Sequence, residues 1–173
     1  MLRILRKTQR VGVITEPLPE DGELALEQVG AQLKARVGEM FGGSLAIREV
    51  DAGSCNGCEL EIHALNNPYY GIERFGVHFV ASPRHADMLL VTGPVSRHME
   101  AALKRTYEAT PDPKLVIAVG ECGANGGEFG VSYASCGAVA NVVPVDAVIL
   151  GCPPTPLKLM LGILEAIGKR ARR

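Results

Sequence analysis

The sequence predicts an α/β protein with a mostly parallel sheet and helices on both of its faces. From residue 44 onward, short apolar strand patterns alternate with helical patterns, and this order produces parallel sheets. Two strand patterns, Met88–Thr92 and Leu115–Val119, are apolar almost throughout, as expected of strands buried on both faces. With 173 residues, 47% of them hydrophobic, the chain can build one core of this kind.

The N-terminal extension is predicted to contain one amphipathic helix. Five apolar residues recur along one face of Leu24–Phe41, and Gly42-Gly43 ends the pattern. The other predicted elements are, in chain order, strand Leu45–Val50, helix Cys55–Leu65, strands Val77–Ala81 and Met88–Thr92, helix Arg97–Glu108, strands Leu115–Val119 and Ala147–Leu150, and helix Leu157–Ile167. We therefore divide the chain into an extension at 1–43, an α/β domain at 44–168 and a basic tail at 169–173.

Charge is distributed unevenly along the chain. Residues 1–10 and 169–173 each hold four basic residues and no acid, whereas the 158 residues between them hold 10 basic and 19 acidic residues. A basic patch interleaved with aromatics is missing from the sequence, so nucleic acid is not an expected partner. The basic ends could instead contact acidic lipid headgroups or an acidic subunit.

The sequence predicts a chain that is neither exported nor membrane-spanning. Its apolar runs are shorter than a spanning helix requires, and the apolar stretch at 11–15 is too short for a signal peptide. In such a chain, five cysteines favour metal binding or redox chemistry over structural disulfides.

Four of the cysteines occupy loops that follow predicted strands. Cys55 and Cys58 follow the first strand, Cys122 follows Leu115–Val119, and Cys152 follows Ala147–Leu150. Ligands of open parallel sheets bind beyond the carboxyl ends of the strands. We therefore expect these loops to converge on one edge of the sheet.

The C-x2-C pair leaves several chemistries open. Cys55 and Cys58 are three residues apart at a predicted helix start, where the helix N-terminus favours thiolate over thiol. Such a pair suits a zinc site, a dithiol redox centre or an iron-sulfur cluster. The Cys152-Pro153 step favours the cluster slightly, since iron-sulfur ligand runs often end in Cys-Pro.

Other functions fit the sequence less well. The glycine-rich segment at 120–127 lacks the order of a dinucleotide-binding loop, and no G-x-S-x-G motif occurs. A thioredoxin-like mechanism needs only one C-x2-C pair and leaves Cys122 and Cys152 unexplained.

Several segments together carry a family resemblance. They are DAGSCNGCELE at 51–61, ERFG at 73–76, SPRHADMLLVTG at 82–93, DPK at 112–114, GECGANGG at 120–127, VPVD at 143–146 and GCPPTP at 151–156. In this order they resemble the small subunit of energy-converting, formate hydrogenlyase-type nickel-iron hydrogenases. That family includes the 20 kDa iron-sulfur subunit of respiratory complex I. The Asn-Gly between the paired cysteines is similar to the hydrogenase branch, because complex I subunits typically have two adjacent cysteines there.

The resemblance implies a flavodoxin-like domain that binds one 4Fe-4S cluster through Cys55, Cys58, Cys122 and Cys152. It implies an electron-relay subunit, itself non-catalytic, with three kinds of partner: a nickel-iron large subunit, a ferredoxin-like iron-sulfur subunit and membrane subunits. We expect a peripheral position on the cytoplasmic side of the inner membrane. A complex I-like quinone oxidoreductase subunit, a nickel-free relative and a structural zinc module remain as alternatives.

We also predict roles for five further residues. Glu59 and Glu61 are candidates for proton transfer or for contact with the catalytic subunit, although acids are also common near a helix N-terminus. Arg84 and His85 are candidates for the subunit interface or the surroundings of the cluster. Cys136 matches no ligand position of the family and is expected to be a small packing group.

Overall fold

The computed structural model describes residues 6, 9–10 and 22–170, and in this part of the chain a five-stranded parallel sheet is the central element. Its strands, with their ranges, are β1 (Leu45–Asp51), β2 (Val77–Phe79), β3 (Met88–Thr92), β5 (Leu115–Val119) and β7 (Ala147–Ile149). Their spatial order, β2-β1-β3-β5-β7, is the order of flavodoxin-like folds. The predicted fold class is confirmed.

Within residues 22–170, a small antiparallel pair and five α-helices complete the fold. The pair consists of β4 (Val95–Ser96) and β6 (Ser135–Gly137). The helices are α1 (Gly22–Phe41), α2 (Gly57–Ala64), α3 (Arg97–Ala109), α4 (Gly120–Asn125) and α5 (Pro156–Arg170). Single 3-10 turns occur at Ile72–Phe75, Pro83–His85, Gly127–Phe129 and Val139–Asn141.

The sheet separates two hydrophobic layers. Along β3, Met88 and Leu90 pack into the layer formed by α1, α2 and α5, whereas Leu89 and Val91 pack into the layer that contains Leu103 of α3. All five residues of β3 are buried because both faces of the strand are covered. This double coverage explains the apolar runs of β3 and β5.

Helix α1 is part of the main core. Leu26, Leu33 and Val37 are buried in the same layer as α5. Gly30 faces the ring of Phe75, and a Cβ at this position would overlap that ring. The neighbouring Arg74 lies over the Phe75 ring and pairs with Glu27 at 2.7 Å. The domain boundary at 43/44 stays a prediction.

Some element boundaries differ from the predicted ones. Helix α2 begins at Gly57 rather than at Cys55, because Asn56 adopts a left-handed conformation with φ 71°. Cys55 therefore lies before the helix, and only Cys58 lies within it. Strand β2 ends at Phe79, two residues before the predicted end.

The charged ends of the chain are described only in part. Arg6, Gln9 and Arg10 are helical and exposed, but the other residues of the N-terminal basic segment, Arg3 and Lys7, lie outside the described residues, as do residues 171–173. Lys169 forms an exposed ion pair with Glu165 at 2.7 Å. Among the described residues, no helix has the length and apolar character needed to cross a membrane.

Candidate metal centre

Three loops at the carboxyl edge of the sheet meet around one cavity of about 140 Å³. They are the connections from β1 to α2, from β5 to α4 and from β7 to α5. The residues lining this thiol cavity are Ser54, Cys55, Gly57, Cys58, Gly93, Glu121, Cys122, Gly151, Cys152 and Pro153. The structure thus brings together all four cysteines expected to bind metal.

The first loop is held in shape by its own side chains. The carboxylate Oδ1 of Asp51 accepts hydrogen bonds from the amides of Gly53 and Ser54, at 2.8 and 2.9 Å. The hydroxyl of Ser54 accepts a bond from the amide of Asn56 at 3.1 Å. These turns are typical of Asp and Ser, and they fix the backbone on both sides of Cys55.

In the segments around the second loop, the backbone of two glycines lies very close to the thiols. Gly120 has φ +80°, and a Cβ there would lie 2.7 Å from the sulfur of Cys58. At Gly127, a Cβ would lie 2.6 Å from the sulfur of Cys122. The amide of Glu121 donates a 3.2 Å hydrogen bond to the carbonyl of Gly151, which joins the second loop to the third. Only glycine leaves room for the sulfurs at these two positions.

The four thiols differ in exposure. Cys55 and Cys152 are exposed, while Cys58 and Cys122 are half-buried. The cavity therefore has a closed side formed by Cys58 and Cys122 and an open side formed by Cys55 and Cys152.

Burial and negative charge raise the pKa values of the two inner thiols. Burial raises the pKa of Cys58 to about 12, with further contributions from Glu59 and the other three thiols. Burial also raises the pKa of Cys122, followed by the effects of Cys152 and Cys55. For Cys58, desolvation and the acidic neighbour thus act against the thiolate that the helix N-terminus is expected to favour. A bound cationic group would favour the thiolate forms of Cys58 and Cys122.

The donor set can be tested against the metal groups that it could hold. Four thiols surround the cavity, but in the described part of the chain no three His, Cys, Asp or Glu side chains converge as they would on a single metal ion. Four cysteine thiols are donors that suit either a zinc ion or an iron-sulfur cluster.

Glu59 is the buried acid of this region. It is 5% exposed, and neither carboxylate oxygen has a hydrogen-bond partner among the described residues. Glu61, one turn of α2 away from Cys58, is half-buried. The structure does not place either glutamate in the cavity wall.

Arg84 and His85 are located elsewhere on the surface. Both are exposed, on the 3-10 turn Pro83–His85, which packs against α3. Neither residue lines the thiol cavity. A role for them at an interface remains a prediction.

Cys136 is separate from the other thiols. It is 6% exposed, in the core layer of α3, and its thiol donates a 3.3 Å hydrogen bond to Glu100. Burial, followed by this hydrogen bond, raises the pKa of Cys136. It does not line the cavity.

Two acidic residues, one at the site and one on β1, were not anticipated from the sequence. Glu121 lines the cavity, and its position directly before Cys122 in a strand-to-helix turn was the available signal. Glu49 lies on the same face of β1 as the buried Ile47, and burial raises its pKa. The alternation of β1 would have identified Glu49 as a charge directed toward the core.

Fold and site together define a class of α/β protein in which three strand-to-helix loops place thiols around one cavity at the sheet edge. Comparison with known proteins identifies the family within this class. The chain belongs to the family described as NADH ubiquinone oxidoreductase, 20 Kd subunit, which matches residues 55–166. The expected resemblance is confirmed.

Two curated relatives are subunits of hydrogenase systems. Over 145 residues the chain is 43% identical to formate hydrogenlyase subunit 7 of Escherichia coli, covering 84% of this chain and 57% of that protein. It is 45% identical over 138 residues to the probable membrane-bound hydrogenase subunit mbhJ of Pyrococcus furiosus, covering 80% and 83% of the two chains. The chain thus spans little more than half the length of the first relative.

A solved structure with the same fold comes from another membrane complex. The chain matches, with a TM-score of 0.63 and 33% identity, a subunit of the membrane-bound sulfane sulfur reductase, an archaeal respiratory membrane complex. The match covers 86% of this chain and 77% of that one. Relatives of this chain are therefore subunits of membrane-bound hydrogenase and respiratory complexes.

Proposed function

We propose that this chain is an electron-relay subunit that holds one 4Fe-4S cluster through Cys55, Cys58, Cys122 and Cys152. In this proposal electrons pass between the nickel-iron site of a large subunit and ferredoxin-like subunits of a membrane-associated hydrogenase complex. The observation that carries the proposal is the gathering of these four thiols, from three separate loops, around one cavity. The family and its hydrogenase relatives support it.

Four thiols alone suit a zinc ion as well as a cluster, but the glycines beside them favour the bulkier cluster. Cysteine thiolates are the standard ligands of 4Fe-4S clusters, and four of them complete the ligand set. Glycine at 120 and 127 leaves space beside the sulfurs, as a bulky inorganic group requires. The bound cluster would supply one-electron chemistry, and its positive iron ions would offset the loss of the thiol protons.

The chain itself holds and shields the site. The Asp51 turn and the bond from Glu121 to Gly151 fix the three loops relative to one another. Burial of Cys58 and Cys122 keeps water from the inner side of the cavity, while the open side at Cys55 and Cys152 leaves a short path to an electron partner. Hydrogen bonds and burial of this kind tune a redox centre.

Exposed apolar side chains near the thiol loops support a protein partner there. Leu60 is 62% exposed two residues after Cys58, and Leu150 is 49% exposed two residues before Cys152. Phe129, Val131 and Tyr133 are also exposed, on the loop that follows α4. Contiguous apolar patches on a protein surface mark interaction sites. We propose that the large subunit covers this edge, with Glu59 and Glu61 for proton transfer or contact, and Arg84 and His85 at the subunit interface.

The proposed complex is peripheral to the inner membrane on its cytoplasmic side. The basic residues near the N-terminus, among them Arg6 and Arg10, are exposed in the described part of that segment and suit an acidic lipid surface or an acidic subunit. Membrane subunits complete the set of proposed partners.

Anaerobic purification tests the cofactor. The protein should be brown, contain about four iron and four sulfide per chain, and develop an EPR signal on reduction. Stoichiometric zinc without iron would overturn the proposal in favour of a structural zinc module.

A second candidate function is the same cluster subunit in a complex that does not turn over hydrogen. The 33% identity to a subunit of the sulfane sulfur reductase supports this second candidate. Purification of the intact complex separates the two candidates: nickel together with dihydrogen-linked dye reduction indicates a hydrogenase, whereas a complex that contains iron but no nickel indicates a nickel-free or quinone-linked relative.

A further inference from the structure

The loop between α4 and β6 displays large apolar side chains that the described part of the chain leaves uncovered. Phe129, Val131 and Tyr133 are 66%, 70% and 98% exposed, and they alternate with glycine and serine. Burial of such side chains against a partner is favourable, and aromatic residues are enriched at protein interfaces. We call this segment the apolar hairpin (residues 129–136).

The apolar hairpin is held in shape by its own hydrogen bonds. Val131 and Cys136 form an antiparallel bridge. The amide of Ser132 donates a 2.9 Å hydrogen bond to the carbonyl of Ser135, and the hydroxyl of Ser135 donates a 2.9 Å bond to the carbonyl of Gly130. A loop that is already ordered loses little conformational entropy when it binds, so these exposed side chains are suited to recognition.

A groove of about 200 Å³ lies beside the apolar hairpin. Phe129 and Ser132 line it from the hairpin, Pro94 lines it from the end of β3, and Gly53 lines it from the loop that carries Cys55. Among the described residues that line the groove, none is charged. A partner side chain in this groove would therefore lie next to a loop of the thiol cavity.

The rim of the groove is mainly acidic. Glu128 is exposed at the start of the apolar hairpin, and Asp51 is exposed on the loop that forms the other wall. On the α3 side, Arg97 pairs with Glu100 at 3.4 Å, which partly offsets its charge. Acidic residues repel anionic lipid, and in a symmetric dimer they would face their own copies. A partner with Lys or Arg beside a large apolar side chain is complementary to this surface.

We propose that the groove and the apolar hairpin receive a segment of the large subunit that carries a large apolar side chain next to Lys or Arg; this inference rests on the proposed function. The apolar side chain fills the groove beside Phe129, and the basic group pairs with Glu128 or Asp51. Tyr133 packs on the partner surface as an aromatic anchor. The contact holds the large subunit beside the loop of Cys55.

Substitutions at exposed positions test this contact while leaving the thiol cavity unchanged. Tyr133→Ser and Phe129→Ser remove the apolar contacts, and Glu128→Lys reverses the charge on the rim. None of these residues lines the thiol cavity. Leu161→Ser and Glu108→Lys are the matched controls, because both positions are exposed on other helices, α5 and α3.

The measurement is the amount of large subunit that stays with this chain when the complex is purified through an affinity tag on the chain, at about 0.1 M and about 0.5 M NaCl. We expect Tyr133→Ser and Phe129→Ser each to lower this amount about tenfold at both salt concentrations. Glu128→Lys should lower it about tenfold at low salt and less at high salt, because salt screens the charge pair. Both controls should retain native amounts, and the iron and sulfide content should stay native in all five variants.

Native retention of the large subunit in both apolar variants would overturn this inference. Tighter retention in Glu128→Lys would also overturn it, since that result indicates an acidic partner surface. Retention of a differently tagged second copy of this chain in place of the large subunit, or binding of the complex to anionic vesicles that Tyr133→Ser abolishes, would overturn it in favour of another occupant. A native chain that binds no iron and sulfide, or that no large subunit accompanies, contradicts the proposed function instead.

Discussion

The backbone of Gly120 lies so close to Cys58 that a Cβ at position 120 would be 2.7 Å from the sulfur. Gly120→Ala must therefore displace Cys58 or the start of α4, and it also places a side chain at φ +80°, a strain of about 1–2 kcal/mol. We expect the variant to fold but to lose most of its iron, as measured by iron and sulfide content after anaerobic purification.

Gly38→Ala is the control for this substitution. Gly38 is exposed within α1, three residues before its last residue, and nothing lies within 4 Å of a Cβ built there. This change should leave the iron content native and stabilise the chain by about 0.5–1 kcal/mol, because glycine weakens a helix interior. Full iron content in Gly120→Ala would mean that the close approach is unimportant for the site.

Replacement of single cysteines distinguishes the proposed ligands from Cys136. Cys58→Ala, Cys122→Ala and Cys152→Ala each remove one of four sulfur ligands, so the cluster should be lost or converted and dye reduction by the complex should collapse. Cys136→Ser should retain iron and cost about 1 kcal/mol, because a hydroxyl can still donate to Glu100. Retention of the cluster in Cys122→Ala and its loss in Cys136→Ser would contradict the assignment.

The turn at Asp51 should matter for holding metal. Asp51→Ala removes the acceptor of the two amide hydrogen bonds from Gly53 and Ser54, and we expect a loss of about 1–2 kcal/mol in the free energy of unfolding. The cluster should also dissociate faster in the presence of a chelator. Asp51→Asn retains a side-chain oxygen at the same position and should behave almost like the native chain.

Lys114 joins the end of α3 to the start of β5. Its side chain is 9% exposed and donates hydrogen bonds to the carbonyls of Tyr107 and Thr110, at 3.1 and 2.7 Å. Lys114→Met leaves these helix-end carbonyls without their donor, so we expect a loss of about 2–3 kcal/mol by denaturant unfolding. The EPR spectrum should not change, because Lys114 does not line the thiol cavity. Lys158→Met, at an exposed position of α5, should have little effect on either measurement.

Buried strands were the most predictable part of this fold. The limits of β3 and β5 follow directly from their apolar runs, since only those residues are covered on both faces. The start of α2 was predicted two residues early, because a left-handed Asn56 ends the loop and no pattern of hydrophobic residues reports that conformation. The pair of β4 and β6 was missed, since strands of two and three residues are too short to show an alternation.

For the site, the convergence of the four thiols was predictable because parallel strands place their carboxyl ends at one edge. The raised pKa of Cys58 was not predictable, because it depends on burial and on the neighbouring Glu59 rather than on the helix start alone. The burial of Glu59 was equally hidden: an acid in the first turn of a helix is typical of an exposed position.

The four thiols of the cavity are contributed by segments separated by more than half of the chain, from Cys55 to Cys152. A nascent chain therefore lacks a complete ligand set until β7 has been synthesised and has paired with β5, the last step in building the sheet edge. A group held by all four sulfurs would therefore tie together segments that are far apart in the sequence. Because it would need the assembled sheet edge for its full set of ligands, it would stabilise the folded chain by mass action.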